Sequence, residues 1–150
     1  MASVHEYPVV VDWQGGRDGS GTCKGERSGV ESPLSVPPEF QGPGNGTNPE
    51  ELLTSAIASC YTITFGIIAA NRKVPVRQTR VRAVGEVEQA GVQNTFRAVR
   101  IEAEITLEPD ATEEHAKLAE DLAHKADSYC LITNAVRDKV GISVNVRVSR

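Results

Sequence analysis

The sequence predicts an α+β fold, and three observations predict it. Leu52 to Ala70 is a stretch of 19 residues without a charge, the length and composition of a long core helix. Two later segments, around 80–88 and 99–107, alternate apolar with charged residues, which marks strands with one wet face. A second helical pattern and a third alternating segment close the chain. The resulting order is strands, long helix, strands, helix, strand, rather than a regular βαβ rhythm.

Residues 3–12 carry Tyr7, Val9, Val10 and Val11 and predict the first strand. Gly15-Gly-Arg-Asp-Gly19 is a turn cluster, with a weaker strand after it across 20–30, so the two form a hairpin whose tip presents Arg17 and Asp18. Pro33, Pro37, Pro38, Gly42, Pro43, Gly44 and Gly46 predict a long irregular loop. It ends in a helix start: Asn48 as N-cap, Pro49 at the first helical position and Glu51 closing a capping box. The helix runs to about Asn71, where Arg72 and Lys73 mark its end and Pro75 stops it.

In the first alternating segment Val81, Ala83 and Val87 oppose Arg80, Arg82, Glu86 and Glu88. In the second, Val99, Ile101, Ala103, Ile105 and Leu107 oppose Arg100, Glu102, Glu104 and Thr106. Gln89 to Asn94, with Gly91, joins them as a hairpin turn. Asp110-Ala-Thr-Glu113 reads as a capping box for an amphipathic helix carrying Leu118, Ala119, Leu122, Ala123 and Ala126. A loop or short helix through Arg137 leads to Ile142, Val144, Val146 and Val148, which alternate with Ser143, Asn145 and Arg147. The long helix is too apolar all round for one small sheet to cover, and a second copy of the chain is the economical cover.

At 150 residues the chain is expected to form one domain spanning 1–150. It has 16 Lys and Arg against 20 Asp and Glu, a formal net charge of −4, which argues against nucleic-acid binding. Met1-Ala-Ser-Val-His-Glu6 has neither the basic nor the apolar part of a secretory signal, so the expected location is cytoplasmic. Thr54, Ser55, Ser59, Thr62, Thr64 and Gly66 make the long helix a poor membrane span, and no membrane partner is expected. Three cysteines, Cys23, Cys60 and Cys130, with no CxxC pair, exclude a disulfide scaffold and a thioredoxin-type motif. His5, His115 and His124 have no partner at i+4, so no metal site is predicted. His115 and His124 read as solvated positions on a polar helix face. Arg77, Arg80 and Arg82 read as the wet side of a strand, balanced by Glu86 and Glu88.

Cys60 lies mid-helix, and its plainest role is that of a small buried hydrophobe. The alternative is a nucleophilic thiolate, which needs donors or a cation to lower its pKa. Its own helix dipole has faded by that point, so the help is expected from a cationic side chain elsewhere, with Arg17 the candidate by type. Cys130 has the same two readings, and spacing alone cannot pair it with Cys60. Cys23, in a polar stretch, reads as incidental.

Gly46-Thr-Asn-Pro-Glu-Glu-Leu-Leu-Thr-Ser-Ala-Ile-Ala-Ser-Cys60 resembles the signature of the osmotically inducible protein C and organic hydroperoxide resistance (OsmC/Ohr) family. The distant second cysteine followed by Thr133-Asn-Ala-Val-Arg137 resembles it too, and Gly15-Gly-Arg-Asp-Gly19 is similar to the family's early arginine turn. The resemblance spans nearly the whole chain. It implies an OsmC-like fold, with antiparallel-rich sheets around a long buried central helix, in an intertwined homodimer. It implies a thiol peroxidase in which Cys60 is the peroxidatic cysteine, Cys130 the resolving one, and Arg17 with Glu50 the charged pair that activates the thiolate. The implied substrate is an organic hydroperoxide, and the implied reductant is an external dithiol such as a lipoyl group, with no bound cofactor. One departure stands out: the family's second cysteine is usually followed by Pro, and here Leu131 follows it.

Ten residues of straight helix place Glu50 and Cys60 about 15 Å apart along the axis. The expectation is therefore that the helix bends, with 49–54 separate, or that Glu50 comes from another turn or chain. A non-catalytic ligand-binding or redox-sensing stress module on the same fold is the alternative to the peroxidase. A catalytic Cys60 alkylates well below about pH 8.5, and an inert one does not.

Overall fold

The computed structural model describes residues 2–150 as two compact units, 1–52 and 53–150, with position 1 outside the described residues. The first unit is a three-stranded antiparallel sheet of β1 (Val9–Gln14), β2 (Ser20–Gly25) and β3 (Glu31–Leu34), in that order. The predicted first strand starts later than expected, at Val9 rather than around residue 3, and the weak second strand is real but short. β3 lies where Pro33 predicts loop. It is an edge strand, and an edge is where a residue without an N–H is tolerated. The rest of the loop folds back beside β3: Thr47 donates its N–H to Pro33 O and accepts that of Ser35.

This return delivers the start of α1 (Pro49–Asn71). Asn48 Oδ1 accepts the Glu51 N–H at 2.8 Å, the N-cap bond that the sequence predicts. The Glu51 carboxylate differs from expectation. It accepts the Thr47 hydroxyl at 2.6 Å instead of closing the box on Asn48. α1 is one continuous helix from Pro49 to Asn71, so 49–54 does not form a separate element. Its far end closes with Lys73 at φ 59°, the Lys73 N–H on Ala70 O and the Val74 N–H on Ala69 O, a Schellman stop.

In the second unit, β4 (Val76–Ala90) and β5 (Gln93–Leu107) form a long antiparallel hairpin. The link is only two residues long, with Gly91 at φ 63°, a backbone conformation that a side chain disfavours. After α2 (Glu113–Lys125), a 3₁₀ turn (Ala126–Tyr129) and α3 (Leu131–Val136), β6 (Gly141–Ser149) returns parallel to β5. The sheet order is β4-β5-β6. One βαβ crossover is thus set into an otherwise antiparallel α+β fold.

The alternation read from the sequence decides which face closes. Val99, Ile101, Ala103, Ile105 and Leu107 are buried. They form one apolar cluster with Ile57, Tyr61, Phe65 and Ala69 of α1 and Ala119, Leu122 and Ala123 of α2. The Tyr61 hydroxyl donates to Ala123 O at 2.6 Å and ties the two helices together, while burial drives its pKa well up and keeps it a neutral donor. Gly85 lets α1 approach β4, since a β-carbon there would meet the Thr54 hydroxyl and the Phe96 ring. On the wet face Arg82 pairs with Glu102, Arg97 with Glu88, Arg100 with Glu86 and Arg147 with Glu104. The balancing partners of Glu86 and Glu88 therefore lie on β5, and each half-exposed pair contributes at most about 1 kcal/mol.

The start of α2 corrects another expectation. Thr112, not Asp110, is the N-cap, and His115 rather than Glu113 closes the box: Thr112 Oγ1 accepts the His115 N–H while His115 Nδ1 accepts the Thr112 N–H. His115 is therefore part of a helix cap, with a specific hydrogen bond at Nδ1.

By length and composition alone α1 could cross a membrane. Ser59 and Thr62 donate back to Ser55 O and Ala58 O within the helix. Only one stripe of α1 is buried in the protomer, and Ile63 and Ile67 on the other side stand 62% and 56% exposed. One sheet does not cover this helix.

Candidate active site

The second unit brings Cys60 and Cys130 together although 70 residues separate them. Cys60 is half-buried on α1, and Cys130 is fully buried. Cys130 is held in place by the bend between the 3₁₀ turn and α3. Its N–H reaches Asp127 O, its carbonyl accepts the first helical bond of α3 from Asn134, and its sulfur accepts the Thr133 N–H at 3.4 Å as the N-cap of α3.

Arg137 locks that bend from outside. Its guanidinium donates to Asp127 O at 2.7 Å and to Asn134 Oδ1 at 3.0 Å, and pairs with the Asp127 carboxylate at 3.4 Å. Asn134 Nδ2 in turn donates to Ser128 O. The Thr133-Asn-Ala-Val-Arg137 motif singled out in the sequence is thus the frame around Cys130. Asn134 and Arg137 act on the sulfur only through the backbone that they hold.

The two thiols differ in ionisation. Burial pushes Cys60 up. Against that act hydrogen bonds from the Cys130 thiol, the Ile132 backbone, the Thr64 hydroxyl at 3.9 Å and the Leu131 backbone, and together they bring Cys60 below the ordinary thiol value. Burial pushes Cys130 up, and its bond to Cys60 pushes it further. Donors from Thr133 pull it down, but the net direction is upward. Cys60 therefore ionises first, and the Cys130 S–H donates to the thiolate. The donors that lower Cys60 within the second unit are neutral, and the Cys130 thiol, Ile132 and Leu131 lie at the start of α3 rather than on the helix that carries Cys60.

Arg17 and Glu50 belong to the first unit. Arg17 lies in the β1–β2 turn and donates to Gln41 Oε1 at 3.2 Å. Glu50 lies in the first turn of α1. Cys23 is on β2, partly buried and opposite Val11 and Ser32, with its thiol free. Among the described residues no three His, Cys, Asp or Glu side chains are grouped to hold a metal ion. A cleft of about 290 Å³ opens between the end of α1 and α2, lined by Ile68, Asn71, Arg72, Leu122, Lys125 and Tyr129.

A family model described as OsmC-like protein matches residues 42–145, which include both cysteines. An uncharacterized protein of Bacillus subtilis, YmaD, is 29% identical over 96% of this chain and 95% of its own. A Staphylococcus epidermidis protein named organic hydroperoxide resistance protein-like 2 is 26% identical over 93% of this chain and 94% of its own. Among solved structures, a putative organic hydroperoxide resistance protein of Vibrio cholerae, with captopril bound in one of its active sites, superposes with a TM-score of 0.71. It is 27% identical and covers 99% of this chain and 93% of its own.

Proposed function

The chain belongs to the OsmC-like protein family, and from that premise we propose that it is a thiol-dependent peroxidase that reduces organic hydroperoxides to alcohols. The observation that carries the reading is the pair of facing thiols, Cys60 lowered and Cys130 raised. A thiolate is needed to attack, and a protonated neighbour is needed that does not compete for the peroxide.

The Cys60 thiolate attacks the distal oxygen of the hydroperoxide. An S–O bond forms as the O–O bond breaks, and the departing alkoxide takes a proton to leave as the alcohol. Cys60 is left as a sulfenic acid. The Cys130 sulfur then attacks the Cys60 sulfur, water leaves, and a Cys60–Cys130 disulfide forms. An external dithiol, such as a lipoyl group, reduces the disulfide and is itself oxidised. No bound cofactor takes part.

Arg17 stabilises the thiolate and the departing alkoxide in this reading, and Glu50 orients Arg17 through a bidentate pair. The unbroken course of α1 favours a Glu50 from a partner copy over one from the same helix. The exposed Ile63 and Ile67 support a homodimer that covers the open side of α1. Catalysis takes place in the cytoplasm, away from membrane and nucleic acid.

The test is peptide mapping by mass spectrometry after one equivalent of cumene hydroperoxide is added to the reduced protein. A stoichiometric Cys60–Cys130 disulfide is expected. Unoxidised protein, or a bridge to Cys23, would overturn the reading.

A further inference from the structure

The cleft between α1 and α2 holds neither thiol, and its lining has a chemistry of its own. Ile68 of α1 and Leu122 of α2 give it an apolar floor, and Leu122 is buried. Asn71 and Arg72 at the end of α1, Lys125 at the end of α2, and Tyr129 give it a polar rim, and all four are exposed. Two of these lining residues are cations and none is a carboxylate, in a chain whose formal net charge is −4. Its volume, about 290 Å³, stands at the small end of ligand pockets. An apolar floor under a cationic rim matches a small amphiphile with an anionic head.

Cations near a helix C-terminus ordinarily answer the open carbonyls there, and those carbonyls repel anions. Here other donors engage them. At the end of α1, Ile68 O accepts the Arg72 N–H, Ala69 O the Val74 N–H and Ala70 O the Lys73 N–H. At the end of α2, Lys125 O accepts the Ser128 hydroxyl at 2.7 Å. The Lys125 ammonium is shared with Asp121 at 2.9 Å, whereas among the described residues Arg72 has no carboxylate within ion-pair distance. Arg72 therefore presents an open guanidinium fork, the shape that holds a carboxylate through two parallel hydrogen bonds. We propose that this cleft is a binding site for a small aliphatic carboxylate. The head sits on Arg72, with Lys125 and Tyr129 beside it, and the chain lies over Ile68 and Leu122. The ligand carries no peroxide, so the site stands apart from the reading of Cys60 as the attacking thiol.

The experiment is a ¹⁵N NMR titration of the reduced full chain with octanoate. Octanol, which keeps the chain and lacks the charge, and acetate, which keeps the head and lacks the chain, are the comparisons. Octanoate is expected to shift the amides of Asn71, Arg72, Lys125 and Tyr129 along one saturable curve, and each comparison ligand to bind at least about tenfold more weakly. Arg72→Glu should abolish the octanoate response and Arg72→Gln should weaken it at least about tenfold. Lys125→Ala should weaken it less, because Asp121 already holds part of that charge. Arg72 is exposed at a helix end, so the spectra of its variants should overlay the wild type away from the cleft. Equal binding of octanoate and octanol would overturn the proposal, because the cations would then recognise nothing. An octanoate response that persists in Arg72→Glu, that centres on other residues, or that never saturates would overturn it as well. The cleft contains no cysteine, so Cys60→Ser should bind octanoate as the wild type does. Loss of hydroperoxide consumption and loss of octanoate binding are thus separate failures.

Discussion

Along α1, Ile57, Tyr61, Phe65 and Ala69 recur every fourth residue and are closed from solvent, whereas Ile63 and Ile67 stand mostly open and Cys60 sits half-buried. The two stripes share a residue type, since isoleucine occurs on both. What separates them is the surface that each meets. The closed stripe packs on the apolar side of β5 and on α2, and the open stripe has no cover within the protomer. Hydrophobicity made α1 a helix able to be buried, and the sheet chose which quarter of it was. The closed stripe is therefore expected to govern stability, and the Cys60 side to govern chemistry and association.

The sharpest break between the two is expected at Cys60. Cys60→Ser should abolish hydroperoxide consumption and leave the thermal midpoint near that of the wild type. Cys130→Ser should not turn over: it stops after one equivalent with Cys60 held as sulfenic acid, or consumes further equivalents only as Cys60 is over-oxidised. Retained turnover in Cys60→Ser would remove the chemistry from this helix altogether.

The next effect belongs to the closed stripe. Phe65→Ala empties a fully buried site and is expected to lower stability in urea by about 3–5 kcal/mol. Ile67→Glu should leave the fold of the protomer in place and shift the protein toward monomer in sedimentation. If Ile67→Glu unfolds the chain as Phe65→Ala destabilises it, the two faces are not distinct.

The smallest effect is an order of reaction. As pH rises through the lowered Cys60 pKa its thiolate forms, while Cys130, raised by burial and by its bond to Cys60, is still a thiol. Iodoacetamide should label Cys60 at lower pH than Cys130 in the same digest. In Cys60→Ser the Cys130 midpoint should fall, because the neighbouring thiolate charge is gone. Simultaneous labelling would mean that the two sulfurs share one environment.

Much of this was legible in advance. The alternation of Val99 to Leu107 and of Ile142 to Val148 identified the buried face of the sheet, and Asn48-Pro49 located the start of α1 to the residue. Pro33 hid β3, because a strand edge tolerates what a strand centre does not, and edges are visible only once strands are paired. His115 hid its cap because a histidine at the third helical position can do what Glu usually does. The donors to Cys60 were the larger omission. No local pattern signals them, because all but Thr64 come from a segment 70 residues further along the chain.

The sequence by itself determined the long helix, the hairpin strands, α2 and the last strand with their wet and dry sides and, through the Asn48-to-Cys60 motif and the distant Cys130, the family. These are local patterns, set by side-chain period and backbone preference within a few residues. The tertiary structure alone decided that β6 runs parallel to β5, and that Cys60 on α1 lies beside Cys130 at the cap of α3. It also decided that one thiol is lowered and the other raised. Those outcomes depend on where the chain returns after 70 residues of strand, turn and helix, and on how far burial strengthens hydrogen bonds to charge, and no local pattern encodes either.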